Sequence, residues 1–165
     1  MEIVIDLIII KFKRLLKQGE KMKKFETFEH GADIGIRGYG KTLEEAFSNG
    51  IKALISLIVE KIPESGLKRE KSIEIEIDAE FLDELFVTFI NKLISYIALE
   101  NILFWDFEGK IEKKDKEFIL KGHVWGEEYD LEKFGYGVEV KGATFTMSEV
   151  KKQNDLWIVQ CVVDV

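Results

Sequence analysis

Residues 25–47 read FETFEHGADIGIRGYGKTLEEAF, Phe25 to Phe47, and the changes of period inside this stretch decide the architecture. Apolar and polar residues alternate from Phe25 to Glu29. After the turn His30-Gly31-Ala32-Asp33 the alternation resumes at Ile34, Ile36 and Tyr39, which is the pattern of two short strands around a turn. Thr42-Leu43-Glu44-Glu45 then forms a capping box, in which the Thr42 hydroxyl accepts from the Glu45 backbone N–H while the Glu45 side chain reaches back. A helix is predicted to start there. Leu43, Phe47, Ile51, Leu54 and Ile58 recur at helical spacing, Ala46, Ala53 and Leu57 widen the stripe, and Pro63 and Gly66 break it.

Beyond this stretch, Ile73, Ile75 and Ile77 alternate with Glu74 and Glu76 as a half-buried strand, after which Asp78 is expected to open the next helix. From about Glu80 to Leu99 the pairs Phe81-Leu82, Leu85-Phe86, Phe89-Ile90 and Leu93-Ile94 give one broad apolar face, against polar Glu84, Asn91 and Lys92. Such a helix must lie against a sheet. The rest is mostly of period two, over Ile102–Glu112, Lys116–Trp125, Val138–Val150 and Leu156–Val163, with a polar connector from Gly126 to Gly137. Each element has one apolar face to bury. The expected fold is therefore α+β: a two-layer sandwich of two long amphipathic helices packed on an antiparallel-rich mixed sheet.

The 165 residues, 46% hydrophobic and 33% charged, suffice for one core and describe a water-soluble chain. Twenty-four basic against thirty-one acidic side chains leave a net charge of −7, which argues against holding nucleic acid by bulk phosphate neutralisation. The single cysteine, Cys161, excludes an internal disulfide framework or a Cys-x-x-Cys site and points to a reducing compartment, the cytoplasm.

Residues 1–21 differ from the remainder. MEIVIDLIII precedes the basic run KFKRLLKQGEK, the reverse of a signal peptide, and is too short for the roughly 20 residues of a membrane-crossing helix. A basic amphipathic anchor is one reading, with Phe12, Leu15 and Leu16 among Lys11, Lys13, Arg14 and Lys17. Another comes from codons: Gln18-Gly19-Glu20-Lys21 before Met22 could be encoded by a ribosome-binding sequence followed by a start codon. On that reading 1–21 is a non-domain extension, Met22 is the first residue, and 22–165 is a single domain carrying 19 − 28 = −9.

Gly35-Ile36-Arg37-Gly38-Tyr39-Gly40-Lys41-Thr42 fits the phosphate-loop pattern G-x-x-x-x-G-K-[ST]. A phosphate cradle needs adjacent free N–H groups in a loop, whereas Ile34, Ile36 and Tyr39 alternate as a strand and Thr42 already caps a helix. Asp33 in its turn and Asp164 beside the terminal carboxylate of Val165 form a second constellation. Hard oxygen donors of this kind suit Ca²⁺, Mg²⁺ or Mn²⁺, provided a central last strand brings the two ends together. The plain alternative is a turn former and a solvated penultimate acid. His30 and His123 lie far apart and suggest no triad; Cys161, between Val159 and Val163, reads as a buried inert thiol. Lys141, followed by Gly142 and Ala143, sits where small neighbours let another molecule approach, or where a strand bulges.

Three separated pieces together resemble the archease family: Phe28-Glu29-His30-Gly31-Ala32-Asp33-Ile34-Gly35 through Phe47, Glu139-Val140-Lys141-Gly142-Ala143-Thr144-Phe145, and Leu156-Trp157 to Asp164-Val165. The resemblance implies an accessory protein and not an enzyme. It implies an activator of the RtcB-type tRNA-splicing ligase, promoting guanylylation and multiple turnover and widening nucleoside triphosphate use. It also implies a divalent metal, usually calcium, held by Asp33, Asp164 and Val165, with Lys141 as the ligase-activating lysine; tRNA is then touched only indirectly and no membrane is involved. Gly31 stands where the family usually has Thr, and Thr146 where a His is common. The rival readings are a tRNA-binding or chaperone-like module for a tRNA-modifying enzyme, and a nucleotide-binding enzyme using the phosphate-loop pattern.

Overall fold

The computed structural model describes residues 5–10 and 23–165. The readings made for 1–21 and for Met22 as first residue lie outside the described residues, apart from a helical stretch over 5–10. Strands β1 (Phe25–His30) and β2 (Asp33–Gly40) pair from Phe25↔Gly38 to His30↔Asp33, around a two-residue turn. Gly31 has φ +60°, a positive φ at the first central position, which suits the right-handed twist of a hairpin and is open to glycine at least steric cost.

Helix α1 (Leu43–Ile58) begins where the capping box places it, with the Thr42 Oγ accepting from the Glu45 N–H at 3.1 Å. Strand β3 (Lys71–Ala79) leads to helix α2 (Leu82–Glu100). Asp78 does not open that helix: it lies within β3, and the N-cap is Phe81, which has no polar side chain to offer. Strands β4 (Ile102–Lys114) and β5 (Glu117–Glu128) form a long hairpin.

The polar connector contains one turn of helix, α3 (Leu131–Phe134). It is capped by Asp130, which accepts from the N–H groups of Glu132 and Lys133, and anchored by fully buried Phe134. Val138–Val150 is not one strand. From this part of the chain β6 (Gly142–Ala143) and β7 (Glu149–Gln153) each pair with the last strand, β8 (Leu156–Asp164), and the residues between them do not form a strand.

The fold class is α+β as expected, with the strands divided between two sheets. One has the order β1-β2-β8-β6, with β7 also on β8; the other is β3-β5-β4. Every pairing among the described residues is antiparallel. Helix α1 packs against β2 and β8 of the first sheet and β4 of the second, so it fills the seam between them, and α2 lies beside it across elements of both sheets. The core at the seam is aromatic. Phe47 meets Phe86 edge-on at 5.2 Å between ring centroids and Phe89 at 5.3 Å, and Phe89 meets Phe107 at 5.6 Å. Burying each such ring stabilises the fold by roughly 1.5–3 kcal/mol relative to exposure. Among the described residues no helix is long and apolar enough to cross a membrane.

Candidate functional site

Strand β8 is central, flanked by β2 on one side and by β6 and β7 on the other. That position follows from composition: Val159, Cys161, Val162 and Val163 are all buried. Its end decides the site. Ile34 pairs with Val163, so one step further along the antiparallel register Asp33 comes alongside Asp164. On the other edge Gly142 pairs with Asp164, and the Lys141 N–H donates to the Asp164 carbonyl at 2.8 Å. Val165 follows with its side chain packed on the core. Residues from three distant parts of the chain thus meet at one strand end. Lys141 and Asp164 are exposed and Asp33 is half-buried.

Asn91 of α2, which the helical pattern marked only as polar, holds the lysine segment in place. Its Nδ2 donates to the Ala143 carbonyl at 3.0 Å and its Oδ1 accepts from the Ala143 N–H at 2.8 Å. The pattern set Asn91 with Glu84 and Lys92 against the apolar face, and its partner lies far along the chain, so no local signal marked it. A second group escaped the pattern because its members are dispersed over three strands. Arg37 Nε donates to Gln160 Oε1 at 2.8 Å, Arg37 Nη1 to Glu26 Oε1 at 2.6 Å, and the Tyr39 hydroxyl also donates to Glu26. The Tyr39 and Arg37 hydrogen bonds hold the Glu26 carboxyl below its ordinary value, while burial and the bond to Glu26 raise that of Tyr39.

The other candidates fall elsewhere. His30 is exposed and pairs across the hairpin with Asp33, whereas His123 lies on the second sheet between Glu74 and Glu108. Burial pushes the Cys161 thiol up to about 12, which leaves it inert as expected. The phosphate-loop pattern is strand β2 plus a helix cap. Its glycines serve packing: a Cβ on Gly38 would stand 2.4 Å from the Ala46 carbonyl oxygen, and one on Gly40 would stand 2.3 Å from the Ala46 nitrogen. Lys52 donates to Asp106 at 3.2 Å in a polar cleft of about 400 Å³; burial lowers its pKa against the pull of Asp106.

For a divalent cation, the chemistry of the donors fits: two carboxylates and the terminal carboxylate are hard oxygens. Among the described residues no three His, Cys, Asp or Glu side chains cluster as a metal site.

An antiparallel α+β fold with acids and a lysine gathered at one strand end defines the class; comparison with known proteins supplies the family. Residues 25–165 match the model of the Archease protein family (MTH1598/TM1083), and the chain belongs to that family. Protein archease of Pyrococcus furiosus is 39% identical over 145 residues, 87% of this chain and all of that one; protein archease of Sulfurisphaera tokodaii is 35% identical over 144 residues, again 87% of this chain and all of that one. The solution structure of protein 1598 of Methanobacterium thermoautotrophicum is similar at a TM-score of 0.73 and 32% identity, over 87% of this chain and all of that one. A Thermotoga maritima archease, described as a possible chaperone, shares the fold at a TM-score of 0.53 and 18% identity, over 85% of this chain and 96% of that one.

Proposed function

We propose that this chain is a cytoplasmic accessory activator of an RtcB-type tRNA-splicing ligase, acting on the protein and not as an enzyme itself. It would promote guanylylation and multiple turnover, broaden nucleoside triphosphate use, and touch tRNA only through the ligase. The observation that carries the reading is the convergence of Asp33, Asp164, Val165 and Lys141 at the end of β8. Family membership makes that convergence meaningful.

Asp33, Asp164 and the carboxylate of Val165 would hold a divalent cation, for which these hard oxygen donors are suited and which the family resemblance implies is calcium. The cation supplies fixed positive charge that ties the chain end to the Asp33 loop. Lys141, kept at the rim by its backbone bond to Asp164 and by Asn91 gripping Ala143, presents an exposed ammonium able to counter phosphate charge. The reading is tested by multiple-turnover RNA ligation with the cognate ligase, adding wild type, Asp33→Ala, Asp164→Ala, Lys141→Ala or a chain lacking Val165. Stimulation by wild type and its loss in the variants is expected. Equal stimulation by all five would remove the site assignment, and strong salt-dependent tRNA binding without ligase would favour the tRNA-binding alternative.

A further inference from the structure

Between the pairs Ala143↔Val163 and Glu149↔Gln160, the five residues 144–148 stand opposite only Cys161 and Val162, so three are in excess. Such an excess re-aims side chains away from the pleat. Here it leaves Phe145 60% and Met147 49% exposed. Met147 also has φ +52°, a region that side chains other than Gly and Asn rarely adopt.

The loop is nonetheless firmly tied. The Thr144 N–H and hydroxyl both donate to the Val162 carbonyl at 2.9 Å, and the Val162 N–H donates to Thr146 at 3.1 Å. Ser148 Oγ donates to Asp83 Oδ2 at 3.1 Å. The Gln160 Nε2 donates to the Met147 carbonyl at 3.0 Å, and the buried Gln160 is itself held by Arg37. A strained, well-anchored loop that buries neither of its large apolar side chains is arranged for contact with something else.

We infer that residues 144–148 form a pre-organised apolar knob, Phe145 and Met147, that docks into an apolar cleft rimmed by basic side chains on a protein partner. The inference rests on the reading above in taking that partner to be the ligase. Charge selects its chemistry. Asp83 is bonded to the loop, Asp164 and the chain end lie two residues along β8 from the point where the loop meets Val162, and the whole chain carries −7. Acids so placed repel an anionic bilayer or a phosphate backbone, whereas exposed aromatic and Met side chains are typical of protein interfaces. Lys141 meets β8 at Asp164, about 7 Å along the strand from Val162, so docking the knob would set the lysine beside the same partner.

The test titrates the full chain into ligase under multiple turnover and compares wild type with Phe145→Ala/Met147→Gly. Glycine suits the positive φ, so the variant is expected to melt no lower than wild type. Its half-saturating concentration should rise at least about tenfold, with turnover at saturation unchanged, the signature of lost docking and not of lost activation. An unchanged half-saturation with wild-type stimulation present would overturn the knob and leave the activator reading standing. No binding or stimulation by wild type would overturn the activator reading and the inference with it. Binding to anionic vesicles or tRNA that the double variant loses would likewise overturn a protein partner.

Discussion

Gly38 lets α1 approach β2 closely, because its missing Cβ admits both the Ala46 carbonyl and the Gly50 nitrogen. Neither backbone group can move without shifting α1 off β2. Gly38→Ala is therefore expected to lower stability by about 1–3 kcal/mol, the usual range for overpacking, in a denaturant titration. Lys41, exposed one residue before the cap, should tolerate Lys41→Ala with stability and ligase stimulation unchanged. A phosphate-loop role predicts the reverse weighting, so the two substitutions together decide between the readings.

Glu127 poses a different residue-scale question. It is buried, yet its carboxyl titrates below the ordinary value: burial pushes it up, and the bonds from Lys133 Nζ and the Lys68 N–H, each 2.6 Å, more than offset that. Because the folded form releases this proton more readily than the unfolded chain, the stabilisation is complete above the ordinary carboxylate range. It is lost as pH falls through the lowered folded value. Glu127→Gln should cost about 1.5 kcal/mol at pH 7. The gap between variant and wild type should close as both are melted at progressively lower pH.

At the scale of elements, the clearest signals were local and the misses were not. The hairpin and the start of α1 were legible because turn and cap chemistry act within a few residues, from His30 to Asp33 and from Thr42 to Glu45. Asp78 misled because β3 needs it as the last outward residue before Ala79, and α2 takes its start from Phe81 without a polar cap. The alternation over Val138–Val150 misled in another way. It continues through residues 144–148, while the register against β8 slips by three residues, held by Gln160, Asp83 and Val162 from distant positions. Those partners leave no local trace. Gln160→Ala is accordingly expected to free the Met147 carbonyl and strand the Arg37 Nε. Hydrogen exchange should accelerate at the Thr144 and Ser148 amides, while amides of α2 keep their protection. Unchanged exchange in 144–148 would mean that Gln160 does not hold the loop.

For the whole molecule, the acidic and lysine residues of the candidate site were legible individually, and their meeting was not, since Asp33 and Asp164 come together only through the central placing of β8. The same topology makes the chain end a structural element. Val165 packs its side chain on the core, and Asp164 is turned to solvent beside it. If the proposed cation uses that carboxylate, its position matters more than the identity of the last side chain. Adding a single glycine after Val165 keeps the valine anchor and both aspartates but moves the charged terminus outward by one residue. In calcium-free buffer the extended and natural chains should melt together. With calcium at about a hundred times the dissociation constant, a site that binds only the folded state stabilises by about 2.7 kcal/mol, so the natural chain should melt several degrees higher. The extended chain and Asp33→Asn should show little or no calcium-dependent rise. An undiminished rise in the extended chain would show that the terminal carboxylate is not a ligand, and would leave two aspartates too few to account for the site.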